Sequence, residues 1–335
     1  MNKIGLDRNM ILVGDVGGTK TRLALYQEEN NHMIGQEMAT FVSRDFTGLE
    51  EVVMSFLGER KVVVQTACFG VPGPVVNGEA QTTNLPWTLK EVNVAKITKI
   101  KKVKLVNDLV ATTAAVPYLS SEDLFVLYKG KGPENKESPR GVLAPGTGLG
   151  QAFLYFCGGQ YHVHASEGGH IDFAPNSDVE FELLQFLKTK YDHVSYERIL
   201  CGPGLVNIYS FLKQTGQAPE PPALANRLQQ EDPAAVISAT GQAGEFEICV
   251  KALDIFASVL GARAGSLVLT LLATGGIYLG GGIPPKIMKK LSDGTTVDAY
   301  LNKGRLSNLV KSTSMYIIKD DHAALLGAAH LASHL

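Results

Sequence analysis

Leu12-Val13-Gly14-Asp15-Val16-Gly17-Gly18-Thr19-Lys20-Thr21-Arg22-Leu23-Ala24-Leu25 reads as a strand, a tight glycine turn and a second strand. Met10 to Val16 is a short apolar run, and Thr21 to Tyr26 alternates apolar and polar residues, the period of a half-buried strand. The pattern returns near mid-chain. Val142 to Ala144 leads into Pro145-Gly146-Thr147-Gly148-Leu149-Gly150, and Gln151 to Phe156 follows as the next strand. Two Gly-Thr turns, each between short apolar strands and each opening one half of the chain, indicate an internal duplication.

Around these turns the rest of the chain falls into order. His32 to Val42 is a third strand, and Val62 to Phe69 and Val103 to Val106 are buried ones. Leu49, Val52, Val53, Phe56 and Leu57 recur at helical spacing, and Thr47-Gly48-Leu49-Glu50 supplies a capping-box start. Phe69 to Trp87 lacks periodicity and reads as a loop, and Lys129 to Arg140 is a polar loop between the halves. The second half is mainly helical, with its longest pattern from Glu245 to Leu272, then a strand at Ile277 to Gly280 and a closing helix from Asp321. Strands mixed with helices in both halves predict α/β lobes with a cleft between them.

Composition narrows the function classes. The chain has 335 residues, about twice the usual size of one domain. Its 31 basic and 33 acidic residues leave a net charge of −2, so neither nucleic acid nor an anionic membrane is an expected partner. Cys68, Cys157, Cys201 and Cys249 lie far apart without a Cys-x-x-Cys pair, which suits reduced thiols in a cytoplasmic protein. Ala264 to Ile283 is uncharged but carries six glycines; a buried helix end, turn and strand are expected there, and no transmembrane helix.

Gly17-Gly18-Thr19 and Gly146-Thr147-Gly148 could each wrap phosphate oxygens. Glycine lets the backbone approach closely, successive amides point at one anion, and the threonine hydroxyl adds a donor. Neither has the spacing of a Walker motif or a dinucleotide fingerprint, and a plain hairpin turn is the alternative. Asp15, at the mouth of the first turn, is a carboxylate that could hold Mg²⁺ through water, or simply cap the turn.

The motifs also carry a family resemblance. Leu12 to Leu25 resembles the phosphate-1 motif of the sugar kinase, actin and heat-shock ATPase superfamily. Ala144 to Gly150 resembles its phosphate-2 motif, and Tyr278 to Ile283 its adenosine motif. Leu105 to Thr112 (LVNDLVAT), Glu167 to Pro175 (EGGHIDFAP) and Ser195 to Tyr209 (SYERILCGPGLVNIY) resemble segments of the bacterial glucokinases in particular. Two departures stand out. No cysteine follows Glu167-Gly168-Gly169-His170 before Cys201, unlike the zinc-bearing repressor/kinase relatives. Lys20 stands where bacterial glucokinases usually carry asparagine.

The resemblance implies a two-lobed actin-like ATPase fold, α/β and ribonuclease H-like in each half, with the active site in the cleft. It implies a small domain of residues 1–118 plus 321–335 and a large one of 119–320. It further implies a cytoplasmic homodimer using ATP and Mg²⁺ to phosphorylate glucose at the 6-hydroxyl. The terminal Ser333-His334-Leu335 is also similar to a degenerate peroxisomal signal.

Phosphoryl transfer needs an in-line hydroxyl, charge neutralisation and a group to take the proton. Asp108, between the strand Val103 to Val106 and a helical run, is the candidate base; a plain helix cap is the other reading. By resemblance Asn107, Glu167, His170 and Glu197 bind the sugar hydroxyls, as does Asn84 in Thr82 to Trp87. Thr147 touches the terminal phosphate, and Gly281 and Gly282 let the nucleotide approach the backbone. Glu167, His170 and Asp172 as metal ligands, or His170 as a satisfied core histidine, are the alternatives.

Other readings of the whole chain are a kinase for another hexose or sugar derivative, or a non-catalytic sugar/ATP-binding regulator. A repressor would carry a helix-turn-helix ahead of the first phosphate motif, where some ten residues stand here. A hexokinase-like enzyme must also exclude water, a smaller nucleophile than sugar, which lobe closure on the sugar would achieve. Saturating glucose is therefore expected to lower the radius of gyration in small-angle scattering and to shift the fluorescence of Trp87, the only tryptophan. ATP hydrolysis without sugar should be slow; an unchanged scattering profile with a sugar-independent ATPase rate would mean a preformed site.

Overall fold

Alternation along the first strand determines where it lies. In the computed structural model, which describes residues 10–335 apart from 31, 59, 61, 83, 84, 133 and 134, β1 (Met10–Val16) is buried on both faces. Leu12 and Val16 pack with Leu23, Phe56 and Phe69, while Ile11 and Val13 pack with Ala24, Ala111, Leu325 and Ala328. Side chains along a strand point alternately to its two faces, so a strand covered on both must be apolar nearly throughout.

The chain divides into two compact units, one of the residues up to Leu119 with Asp320–Leu335, the other of Ser120–Lys319. In the first unit β1 turns through Gly17-Gly18-Thr19 into the antiparallel β2 (Lys20–Glu29), and β3 (His32–Val42) follows antiparallel to β2. β4 (Val64–Val71) lies parallel to β1 on its other side. Beyond it, β5 (Glu79–Gln81) and β6 (Thr88–Lys90) form a small separate hairpin, and β7 (Lys102–Asn107) runs parallel to β4. The sheet order is β3-β2-β1-β4-β7.

The second unit repeats this plan. Its strands are β8 (Leu124–Tyr128), β9 (Arg140–Pro145), β10 (Leu149–Cys157), β11 (Gln160–Ser166), β12 (Ile277–Leu279) and β13 (Met315–Ile318), in the order β11-β10-β9-β12-β13-β8. The pairings β11–β10 and β10–β9 are antiparallel and β9–β12 and β12–β13 parallel, matching the first sheet strand for strand. β8 is an addition, antiparallel to β13. The duplication read from the two Gly-Thr turns is thus a duplication of whole sheets. The helix Glu247–Leu271 is long and apolar enough to cross a membrane, but 78% of its apolar 18-residue window is buried inside the protein and it packs in the core of the second unit.

Three local expectations change. The helix Leu49–Gly58 forms where its apolar spacing predicts, but Glu51, rather than Glu50, closes on Thr47. The Thr47 amide and hydroxyl donate to Glu51 Oε2 at 2.7 and 2.9 Å, because the third helical residue is the one that reaches back over the first turn. The stretch Phe69 to Trp87 is not wholly loop: β4 extends to Val71 and β5 lies inside it. Trp87, at its end, is 2% exposed, and its indole N–H donates to the Phe46 carbonyl at 3.2 Å.

The closing helix, Ala323–Ser333, lies against the helix Asp108–Ala115. Gly327 permits the contact, since a Cβ there would overlap the carbonyl of Ala111. Gly327→Ala is therefore expected to destabilise the first unit by about 1–3 kcal/mol through overpacking, outweighing the roughly 1 kcal/mol that alanine gains over glycine within a helix. Urea unfolding measures the balance, and a stabilised variant would show that the helices can move apart freely.

Candidate active site

In the first unit, polar groups gather at the carboxyl ends of parallel strands. Asp15 stands opposite Gly70 of β4, and Gly70 opposite Val106 of β7; Asp108 follows directly after β7. The cap of the helix Asp108–Ala115 is Asn107 rather than Asp108, its Oδ1 accepting from the Leu109 amide at 3.0 Å. Asn107 Nδ2 donates to the Gly73 carbonyl at 3.1 Å. Asp108 Oδ1 also accepts from the Leu109 amide, at 2.8 Å. Burial raises the Asp108 carboxyl above the ordinary aspartate value, opposed by the Leu109 and Asn107 hydrogen bonds.

Asp15 is raised too, first by burial, with Arg22 opposing and Asp108 and Asp321 reinforcing. Arg22 lies 3.7 Å from Asp15 and 3.1 Å from Asp321. Ser43 holds the first glycine turn: its hydroxyl donates to the Gly17 carbonyl at 2.7 Å and its amide to the Thr19 carbonyl at 3.0 Å. Gly17 N–H donates to Lys20 O at 2.9 Å, closing the turn.

In the second unit, Glu167-Gly168-Gly169-His170 is a tight turn, closed by the His170 amide donating to the Glu167 carbonyl at 2.9 Å. The Glu197 amide donates to the Gly169 carbonyl at 2.9 Å, fastening a segment 30 residues later in sequence onto this turn. His170 Nε2 lies 3.9 Å from both Glu167 Oε2 and Glu197 Oε1, so the three come together. His170 is exposed rather than a core histidine. Asp172 does not join them, pairing instead with His193 at 2.9 Å.

The second glycine turn meets this cluster. Glu197 Oε2 accepts from the Leu149 amide at 2.8 Å, and a Cβ on Gly148 would lie 2.5 Å from that oxygen. Gly146 O accepts from the Gly202 amide at 2.9 Å, the first residue of the helix Gly202–Gln214. On the other side, Gly281 adopts φ +76° with Pro145 O 2.6 Å from where a Cβ would stand, and the Ile283 amide donates to that carbonyl at 3.2 Å. Gly281 and Gly282 thus lie beside the turn, and Thr147 and Gly282 are exposed.

Several supporting residues escape sequence reading. Ser43 and Gln151 act across long separations with no local signal. Cys201 had one, standing directly before Gly202-Pro203-Gly204. Its Sγ accepts from the Gly204 amide at 3.2 Å, and its thiol donates to the Glu197 carbonyl at 2.9 Å. Burial pushes that thiol up to about 11, so it stays protonated and structural. Asn84 lies outside the described residues.

The two matching sheets, each opened by a hairpin with a glycine turn, are the duplicated α/β fold of the actin-like ATPases and sugar kinases. A solved glucokinase from an Antarctic psychrotroph superposes with a TM-score of 0.85 at 31% identity, covering 98% of this chain and 99% of that one. A ROK family glucokinase from Streptomyces griseus, solved with glucose and AMPPNP, gives 0.65 at 17% identity over 98% of this chain and 100% of that one, a likeness of fold. The chain belongs to the glucokinase family, whose model matches residues 12–335. The glucokinase of Trichormus variabilis is 38% identical over 344 residues, 97% of this chain and 99% of that protein. That of Salmonella arizonae is 35% identical over 326 residues, 97% of each.

The buried carboxyls have a consequence for stability. A carboxyl whose folded pKa is raised adds stability below its unfolded pKa and loses it as pH rises through the folded value. Asp108 and Asp15, both raised, therefore disfavour folding when ionised at neutral pH. Asp108→Asn removes that charge at constant shape, so its unfolding midpoint in urea at pH 7 should equal or exceed that of the parent. A clear loss would mean that the carboxylate is stabilised by its amide partners after all.

Proposed function

We propose that the chain transfers the γ-phosphate of ATP to the 6-hydroxyl of glucose, giving glucose 6-phosphate and ADP. The observation that carries this reading is the meeting of Glu167, His170 and Glu197 in one cluster, with His170 3.9 Å from each glutamate. Sugar hydroxyls both donate and accept, and two carboxylates with an imidazole match them. The cluster is open, with the Glu167 side chain 87% exposed, so it has hydrogen-bonding capacity to offer a ligand.

Asp108 is the general base in this reading, accepting the proton of the attacking hydroxyl. Its burial supports the role, because a raised carboxyl is a stronger base than an exposed one. Asn107 has its amide engaged with Leu109, Gly73 and the Asp108 carboxyl, so in this reading a sugar hydroxyl would share or displace one of these partners. Asn84 is assigned to the sugar by resemblance. The amides of Gly18 and Thr19, and those of Thr147 and Gly148, cradle phosphate oxygens, while the Gly17 and Gly146 amides close the two turns on the Lys20 and Gly148 carbonyls. Thr147 stands at the terminal phosphate and Gly281 and Gly282 beside the nucleoside. Asp15 fits an outer-sphere role toward Mg²⁺: it is a carboxylate destabilised by its neighbours Asp108 and Asp321, which a divalent cation would relieve. When bound, Mg²⁺ supplies neutralisation of phosphate charge.

A coupled assay over a panel of sugars and phosphoryl donors tests the reaction. Asp108→Asn should lower kcat by at least about 10²-fold, and activity within a few-fold of the parent would overturn its assignment. The parent's kcat should fall on the acid side through a pKa above the ordinary aspartate value, since the base must be ionised. Glu167→Ala and Glu197→Ala should each raise the KM for glucose far more than that for ATP, and stoichiometric tightly bound zinc would contradict the sugar role.

A further inference from the structure

Beneath the Glu167–His170 turn lies a cation with no carboxylate partner among the described residues. Arg263, in the middle of the helix Glu247–Leu271, is 5% exposed. Its Nη2 donates to Gln151 Oε1 and faces the Gly168 carbonyl at 3.5 Å. Its guanidinium carbon lies 5.0 Å over the Tyr196 ring, while Nε is buried without a hydrogen-bond partner among the described residues. Burial pushes the guanidinium below its ordinary value, and the neighbouring Tyr196, a phenol itself raised by burial, is neutral at ordinary pH and offers no full countercharge. A buried charge so weakly compensated disfavours folding, and replacement by an apolar side chain of similar volume is often neutral or stabilising.

The residues that Arg263 reaches have one thing in common. Gly168 lies inside the Glu167–His170 turn, and Tyr196 immediately precedes Glu197. Gln151 is on β10, two residues beyond Leu149, whose amide holds Glu197. Gln151 also ties down the turn itself: its Nε2 donates to Ser166 Oγ at 3.3 Å, and Ser166 Oγ accepts from the Gly168 amide at 3.3 Å. One planar group therefore touches every segment that carries the cluster.

Resting on the sugar-binding reading of that cluster, we propose that Arg263 is a positioning residue: its guanidinium locks the Glu167–His170 turn and the Glu197 segment into one geometry for the sugar hydroxyls. Planarity is what the role needs. Nη2 makes both hydrogen bonds while the plane of the group lies over the Tyr196 ring, and a lysine ammonium has no such plane. The helix supplies a rigid base, so the turn is held from the core rather than by its own exposed residues.

Arg263→Met removes the charge and keeps the bulk, and Arg263→Lys keeps the charge and loses the plane over Tyr196. The expected result for Arg263→Met is a KM for glucose raised by about tenfold or more, with the KM for ATP within about twofold and an unfolding midpoint no lower than the parent's. Arg263→Lys, the milder change, should raise the glucose KM by about threefold. Calorimetric titration of glucose into each protein separates binding from chemistry. An unchanged glucose affinity and KM in folded Arg263→Met or in Arg263→Lys overturns the proposal, as does a parallel loss for both substrates. Should Arg263→Met fail to fold, Arg263→Lys decides alone. The parent, titrated and assayed in parallel, tests the reading beneath: if it neither binds nor phosphorylates glucose, the sugar assignment of the cluster fails, whatever the variants do.

Discussion

A strand buried on both faces can present polar groups only at its ends, and β1 and β9 are strands of this kind. Helices cover one face of β1 and a second core covers the other, leaving its carboxyl end and the glycine turn as the places where chemistry can stand. β9 likewise ends in the Gly146-Thr147-Gly148 turn, and β12, wholly buried, ends just before Gly281. β7 delivers Asn107 and Asp108 at its end. The apolar burial that stabilises each sheet is therefore also what sorts the functional residues to one edge of it.

That arrangement has an energetic cost, and the side chains that incur it are recognisable. Asp15 and Asp108 are carboxyls that burial drives upward, and each has only partial compensation, from Arg22 in one case and amides in the other. Arg263 is the cationic counterpart beneath the Glu167–His170 turn. Uncharged polar groups of the same cores are mixed: Thr21 and Ser43 share a hydrogen bond at 3.0 Å and Cys201 spends its thiol on a carbonyl and an amide, while Thr113 Oγ1 and Thr296 Oγ1 are buried without a partner among the described residues. A buried charge with incomplete compensation costs more than an unpaired hydroxyl does, which sets these three side chains apart.

Most of the fold was legible because its signals are local. Strand alternation, the apolar helix Leu49–Gly58 and the twin Gly-Thr turns depend on neighbours within a few residues, and the sheets formed accordingly. The errors came from one-residue choices that local pattern leaves open, such as Glu50 against Glu51 and Asp108 against Asn107 as the cap. Trp87 read as part of a loop because its burial depends on Phe46, 41 residues earlier. The candidate site was legible in the residues that carry charge and in their motifs. Its supports were not, since Ser43, Gln151 and Arg263 work across contacts of 15 to 112 residues.

The second unit links its glycine turn to the Glu167–His170–Glu197 cluster through a single amide. Leu149 N–H, at the exit of the phosphate-type turn, donates to Glu197 Oε2 at 2.8 Å, and the absence of a side chain on Gly148 gives that oxygen room. Glu197 Oε1 at the same time faces His170 at 3.9 Å. A displacement of the turn would break or lengthen the amide bond, and the carboxylate would rotate away from the histidine with it. A carboxylate held on one oxygen and free on the other can report the state of the turn to whatever the free oxygen contacts. If the turn takes phosphate and the cluster takes sugar, as proposed, Glu197 is a direct physical contact between the two, and any coupling through it runs in both directions.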